Sequence, residues 1–253
     1  MAILDNIVAY WKLDESSGNA ADSVSGYTAT NTNVTYADAK INNGAVYDTN
    51  NDYLSPGDAA NLKFSGAHSL NAWINLGGAN RALYDMVFFK GNDGVDFWCI
   101  ALHWTGTNTL RYAINANRAN NAQTQLDCTA ITVDSNWHMV TATYSGTVMK
   151  VYWDGTEIGT KNATQSIDTT GSWYFGNTNG GRSVNKKLDE LGMWSRALSS
   201  TEVTALYNSG NGIQYPFAVG PANLKSFNGL AKASIKSING LAIASVKSVN
   251  GLA

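Results

Sequence analysis

The sequence predicts an all-β fold: an antiparallel β-sandwich or jelly roll with one short C-terminal helix and a repetitive tail of β type. Three observations carry that expectation. Residues 137–155, WHMVTATYSGTVMKVYWDG, read as two strands closed by Ser145-Gly146 and Asp154-Gly155, dipeptides that supply the left-handed backbone of a tight reversal. Other short runs rich in aromatic and β-branched residues are separated by clusters of Gly, Asn, Asp, Ser and Thr, the punctuation of a chain built from many short strands. A single segment carries helix start and stop signals.

Along the chain, IVAYWKL (7–13) is the first expected strand and SLNAWINL (69–76) a second. MVFFK (86–90), DFWCIALHW (96–104) and LRYAINA (110–116) follow, each apolar enough to lie on a core. In the 137–155 hairpin, Trp137, Val140, Ala142, Tyr144, Val148, Val151, Tyr152 and Trp153 are the aromatic and apolar positions expected to pack. SWYFGN (172–177) is the last expected run before the helix. Ser199 or Ser200 can cap that helix, Glu202 sits in its first turn, and Val203, Leu206 and Tyr207 form its apolar stripe before Gly210 and Gly212 end it.

AYWKLDESSGNAADSVSG (9–26), KINNGAVYDTNNDYLS (40–55), SLNAWI (69–74), the tryptophan-histidine hairpin at 137–155 and LDELGMWSRALSSTEVTALYNSG (188–210) occur in this order. Together they resemble the laminin-G-like, concanavalin-A-like lectin jelly rolls, in particular their bacterial and phage branch. The resemblance spans residues 3 to about 215 and implies one jelly-roll domain over 1–215, with Pro216 and Pro221 marking a linker at 216–222 and a tail at 223–253.

The tail reads NLKSFNGLAKA, SIKSINGLAIA, SVKSVNGLA, an eleven-residue repeat that aligns Lys225, Lys236 and Lys247 and repeats Asn-Gly-Leu at 228, 239 and 250. Eleven is also the period of a right-handed coiled coil. An Asn-Gly in every unit opposes a helix, each Gly costing roughly 1 kcal/mol in a helix interior, and Ile235, Ile238, Val246 and Val249 favour strands. Short strands joined by Asn-Gly turns are the expectation. About thirty residues of this kind cannot offset an ordering entropy of ~1–2 kcal/mol per residue alone, so the tail is expected to need a partner: its own domain, sister chains in a homo-oligomer, or other virion proteins. It carries four lysines (225, 232, 236, 247) and no acid, a balance suited to an acidic partner. Similar tandem motifs resemble those that close phage structural proteins carrying laminin-G-like domains.

Composition narrows the function. A net charge of −2 and a pI near 5.9 provide no basic field for nucleic acid. No stretch approaches ~20 apolar residues, so no membrane insertion is expected, and the N-terminus lacks the features of a secretory leader. A lectin-like fold without an export signal points to a virion location, with an extracellular one as the alternative. Cys99 and Cys128 are expected as free, buried thiols.

No catalytic residue is assigned. Glycoside hydrolases of this fold need two carboxylates about 5–9.5 Å apart, yet the four glutamates, 15, 157, 190 and 202, stand in no alternating acidic run, and Asp14-Glu15 and Asp189-Glu190 are adjacent pairs. The resemblance implies Ca2+ near the first loop and the last strand, which falls here on Asp22 and Asp189, with backbone carbonyls completing 6–8 oxygen ligands. Surface glycans, if bound, would meet Trp104, Arg118, Trp173 and Arg182, which offer aromatic faces and hydrogen-bonding cations. The expected function is a non-catalytic virion protein displaying a lectin-like domain for adhesion to carbohydrate. The alternatives are a carbohydrate-binding module or adhesin fragment of an exported bacterial protein, and a decoration protein without a glycan ligand.

Overall fold

The computed structural model describes residues 2–78, 85–91, 97–103, 108–116, 124–129, 131–163, 171–177 and 186–217, together with four short strands of the tail. Contacts divide the chain into two units, 1–212 and 213–253.

The first unit is a two-sheet antiparallel sandwich. One sheet runs in the order β13 (Thr156–Asn162), β12 (Val148–Trp153), β11 (Trp137–Tyr144), β6 (His68–Asn75), β15 (Lys186–Trp194), β4 (Asn43–Tyr47), β3 (Thr35–Asp38), with β1 (Ile7–Trp11) also paired to β15. The other runs β10 (Gln125–Cys128), β9 (Leu110–Ala116), β8 (Phe97–Leu102), β7 (Asp85–Gly91), β14 (Trp173–Phe175), β5 (Tyr53–Gly57), β2 (Thr30–Thr32). The expected hairpin forms: Val140 pairs with Trp153 and Tyr144 with Met149. Its second turn places Asp154 at φ 50° and Gly155 at φ 78°, the two left-handed residues of a two-residue reversal.

Between the sheets lie Trp11, Trp98, Trp173, Tyr47, Phe88 and Phe175, all buried. The aromatic rings meet at angles, Trp11 on Phe175 at 4.8 Å and Phe88 on Phe175 at 5.5 Å between centroids. Three buried indoles donate to backbone, Trp11, Trp173 and Trp194 to the carbonyls of Tyr27, Leu62 and Ile3, whereas the buried Trp98 Nε1 has no hydrogen-bond partner. Trp137, expected in the core, is only half-buried at the start of β11. Cys99 and Cys128 are free and buried, and burial pushes their thiols up to about 12 and about 11.

The helix α1 (Ser200–Tyr207) begins at a full capping box, with Ser199 as N-cap and Glu202 reaching back to it. It ends at Asn208 in the left-handed conformation, one turn before the glycines expected to stop it. Val203 and Leu206 are buried, and Tyr207 stacks on Trp73 at 5.7 Å. No helix among the described residues is long and apolar enough to cross a membrane.

In the second unit the repeat forms hairpins. β16 (Ser226–Phe227) pairs with β17 (Leu230–Ala231), and eleven residues on β18 (Ser237–Ile238) pairs with β19 (Leu241–Ala242) in the same register. Each is a two-stranded sheet, and Asn-Gly lies between its strands in sequence. Lys247–Ala253, the third unit from its lysine on, lies outside the described residues.

Candidate functional site

Asp22 follows the first loop, beside β1. Its Oδ1 accepts from the amides of Tyr10 and Val24 at 2.7 and 2.9 Å, and its Oδ2 from those of Ser25 and Tyr27 at 2.9 and 3.1 Å. Four converging N–H donors fill the carboxylate's acceptor positions and organise the loop that crosses β1.

Asp189 sits elsewhere in the fold, where β15 leaves its pairing with β4 and takes up β1. A bulge between Asp189 and Gly192 marks the change, with Glu190 at φ 53°. Asp189 accepts from the amides of Ile41 and Glu190 at 2.8 and 3.0 Å, and the Glu190 carboxylate accepts a short hydrogen bond from the Tyr10 hydroxyl. Burial first, then the charge of Glu190, push the Asp189 carboxyl up to about 9, with Asp14 adding to the shift and the two amides opposing it. Among the described residues no group of three or more His, Cys, Asp or Glu is arranged to hold a metal.

A proton therefore neutralises Asp189 at pH 7, and a stability consequence follows. The folded state keeps a proton that the unfolded chain releases near its ordinary pKa of about 3.9, so the folded state binds more protons between that value and about 9. Stability contributed by this group is complete at low pH and is lost as pH rises through that window. Asp189→Asn removes the titration: the variant is expected to gain on the parent as pH goes from 5 to about 8, measured as the difference in urea midpoint at the two pH values. A parallel pH profile for both proteins would show that Asp189 is ionised in the fold.

Of the carbohydrate candidates, Trp173 alone lies among the described residues. Trp173 is fully buried, its Nε1 donating to Leu62 at 2.8 Å, so its ring belongs to the core and offers no face to a ligand. Trp104, Arg118 and Arg182 lie outside the described residues. The strand ends nearest them are described: Leu102, before Trp104, pairs with Asp85, and Asp85 stands 3.9 Å from Lys186, after Arg182. Ala116, before Arg118, pairs with Phe97 at the opposite end of the sandwich, the end where Trp173 pairs with Lys90.

The end holding Leu102 and Lys186 is chemically the richer one. His103 and Asp85 form a buried pair at 3.2 Å, with Lys186 beyond it. His103 Nε2 has no hydrogen-bond partner. Lys186 also reaches Asn177 Oδ1 at 3.4 Å and lies over the Tyr47 ring. Gly176 makes room for that ring: at φ 88°, a Cβ there would stand 2.1 Å from Tyr47 Cε1. His138 is clamped nearby on β11 by Asp154 at 2.7 Å and Asp134 at 3.1 Å, and these acids outweigh its burial to hold its pKa above the ordinary value. A recess of about 210 Å³ opens at the end of the first sheet, lined by Val46, Asp48, Asn75, Gly77, Lys186 and Lys187. The lysine pair was legible in the sequence as the end of the NTNGGRSVNKK run from which only Arg182 was drawn.

Three glutamates are committed to structure: Glu157 pairs with Lys150, Glu190 holds Tyr10 and Glu202 holds Arg196. Glu15 accepts from the Ala21 amide through Oε1, and its buried Oε2 has no hydrogen-bond partner.

Comparison with known proteins places this geometry. No curated protein sequence gives a significant match. The fourth domain of AbnA, an extracellular arabinanase of Geobacillus stearothermophilus solved in complex with arabinotriose, aligns with a TM-score of 0.64 and 19% identity over 79% of this chain and 97% of that one. The binding domain of Paraclostridial Mosquitocidal Protein 1 aligns with a TM-score of 0.63 and 18% identity over 81% of this chain, and the binding domain of botulinum neurotoxin DC in complex with SialylT with 0.60 and 14% over 81%. In each of these two the match spans only 52% of the solved chain. At these identities the likeness is one of fold. A family model described as the concanavalin A-like lectin/glucanases superfamily matches residues 48–204, more than half of the sequence, and the chain belongs to that superfamily.

Proposed function

We propose that residues 1–212 act as a non-catalytic carbohydrate-binding module of an adhesive protein and that the repeat tail makes it multivalent. The observation that carries the reading is the likeness of the whole sandwich to a domain solved with arabinotriose, at nearly full length of that domain. The structural commitment of Glu157, Glu190 and Glu202 supports binding over hydrolysis, since a glycosidase needs two carboxylates free to address one bond.

The tail's hairpins are two-stranded, with backbone edges suited to pairing with sister tails. Linked copies raise effective concentration, so a single-site affinity near millimolar suffices for adhesion. The virion setting expected from the sequence rests on this tail. The solved structures compared above are of bacterial proteins, which favours the alternative of an exported bacterial module. Calcium enters the reading as a proposal at Asp22 and Asp189; at Asp189 a cation would replace the proton, and a rise in Tm with millimolar calcium that disappears in Asp189→Asn would support it.

The test is retention on immobilised arabinan and other polysaccharides, for the full chain beside a chain ending at Tyr215. The full chain is expected to be retained and the shorter one to bind at least tenfold more weakly. No retention of either on any polysaccharide overturns the carbohydrate reading, and equal retention of both removes the tail from it.

A further inference from the structure

Lys186 opens β15 in the first sheet and Asn177 follows β14 in the second, nine positions apart in sequence. Their side chains meet between the sheets. Lys186 Nζ donates to Asn177 Oδ1 at 3.4 Å, and Asp85 Oδ1, at the start of β7, stands 3.9 Å from the same nitrogen. All three residues are buried. Neighbours fix each of them: Asn177 Nδ2 donates to the Thr49 carbonyl at 3.4 Å, Asp85 Oδ2 faces His103 Nδ1 at 3.2 Å, and the Tyr47 ring centroid lies 5.9 Å from Nζ.

An amine, an amide carbonyl and a carboxyl held together away from water form a reactive set. At 3.9 Å the Lys186 and Asp85 charges attract without a direct hydrogen bond, which repays little of the cost of taking both from water. Passing one proton from the ammonium to the carboxylate removes both charges and leaves the amine as a nucleophile. The Asn177 carbonyl carbon is one bond beyond the Oδ1 that Nζ already contacts. A turn of the amide therefore sets nitrogen and carbon at a near-attack separation of ~3–3.5 Å, with no partner to gather from solution.

We propose that Lys186 and Asn177 join through an isopeptide bond that the protein forms by itself, with Asp85 as the proton carrier. Nζ attacks Cγ of Asn177 and the Nζ–Cγ bond forms. Asp85 gives the proton it received to Nδ2 and takes the second one from Nζ; the Cγ–Nδ2 bond breaks, ammonia leaves and a neutral amide remains. One amide replaces another, so the step needs no oxidant, reductant or cofactor. The bond ties the first sheet to the second at one end of the sandwich, and it does not depend on the carbohydrate reading.

The experiment is intact mass spectrometry of the denatured full chain, followed by tryptic mapping. The chain is expected to weigh one ammonia less than its sequence. Succinimide formation at an Asn-Gly, of which the tail repeat alone has three, loses the same mass, so the map decides. Trypsin cuts after Lys161, Arg182 and Lys187 and is blocked at a bonded Lys186; a branched peptide joining 162–182 to 183–187, lighter by one ammonia, is expected. It is expected to vanish in Lys186→Arg and Asn177→Ala, to form at least about a hundredfold more slowly in Asp85→Asn, and to return in Asp85→Glu, which keeps the carboxyl. Linear peptides 162–182 and 183–186 from the parent, with no branched species, overturn the proposal whatever the intact mass. A bond that forms in Asp85→Asn at the parent's rate, or that neither Asp85 variant forms, overturns the carrier role of Asp85.

Discussion

Replacing Trp173 with alanine is expected to lower the free energy of unfolding by about 3–5 kcal/mol. The ring is fully buried between the sheets, edge-on to Trp98 at 5.9 Å and to Phe64 at 6.3 Å between centroids. Its Nε1 holds the Leu62 carbonyl, so truncation leaves a cavity and also a buried acceptor without its donor. Lys90, itself buried, lies 5.7 Å from the ring centroid and is anchored by Asp58 and the Gly171 carbonyl at 2.7 and 2.6 Å; losing the ring removes part of what stabilises that cation. Trp173→Phe keeps most of the volume and loses the hydrogen bond, and is expected to cost about 1–3 kcal/mol. Urea unfolding at constant m-value reads both changes. A loss under about 1 kcal/mol for the alanine variant would place the ring outside the core and return it to the ligand candidates.

Arg196→Ala is expected to cost about 3–5 kcal/mol at neutral pH. The guanidinium grips Glu202 through both oxygens at 2.9 and 2.6 Å, and it donates to the carbonyls of Asp5 and Ala2. One side chain thereby ties the start of the chain to the first turn of α1. Glu202 also accepts from the Ser199 amide and hydroxyl, so removing Arg196 strands a mostly buried carboxylate within the cap it closes. Burial alone would raise the Glu202 pKa, but Arg196 and Ser199 override it and hold the group at about 2.

The sign for acid follows from that depression. The unfolded chain binds this proton near pH 4.3 and the folded chain only near 2, so the contribution is complete above the first value and is lost as pH falls toward the second. The penalty of Arg196→Ala is therefore expected to be large at pH 6 and smaller at pH 3, read as the difference in urea midpoint from the parent. Arg196→Lys recovers part of the loss, since an ammonium cannot match the paired geometry of the fork. A penalty that does not change between the two pH values would show that Arg196 acts through packing alone.

Much of this architecture was legible in the sequence because it depends on local chemistry. LRYAINA coincides with β9, and Asp154-Gly155 makes the reversal it announces. The spacing of Ser199 and Glu202 announces the capping box. The Asn-Gly repeat announces the tail hairpins, although its apolar residues recur at spacing three as often as two. The strands that carried no comparable signal are polar edges: TNT in β2 and TYAD in β3 have no apolar run, and β13 has no fully buried residue. Their place comes from pairing with a neighbour already in the sheet.

The candidate site was less legible because it depends on which distant segments meet. Trp173 reads alone as an aromatic a sugar could stack on; only the tertiary packing, which brings Trp98 from the same sheet and Phe64 and the Leu62 carbonyl from the segment between β5 and β6 around it, makes it core. Asp22 and Asp189 both read as oxygen donors for one cation, and the fold surrounds the first with four amides and buries the second beside Glu190. Residue type and local spacing by themselves determined the all-β class, the turns, the helix cap and the repeat, since φ, ψ and capping are settled within a few residues of chain. Tertiary structure alone decided which aromatics are buried, which acid keeps its proton and which of two adjacent lysines is buried. Burial and electrostatic environment are set by side chains that lie far apart in sequence and meet only when the sheets close.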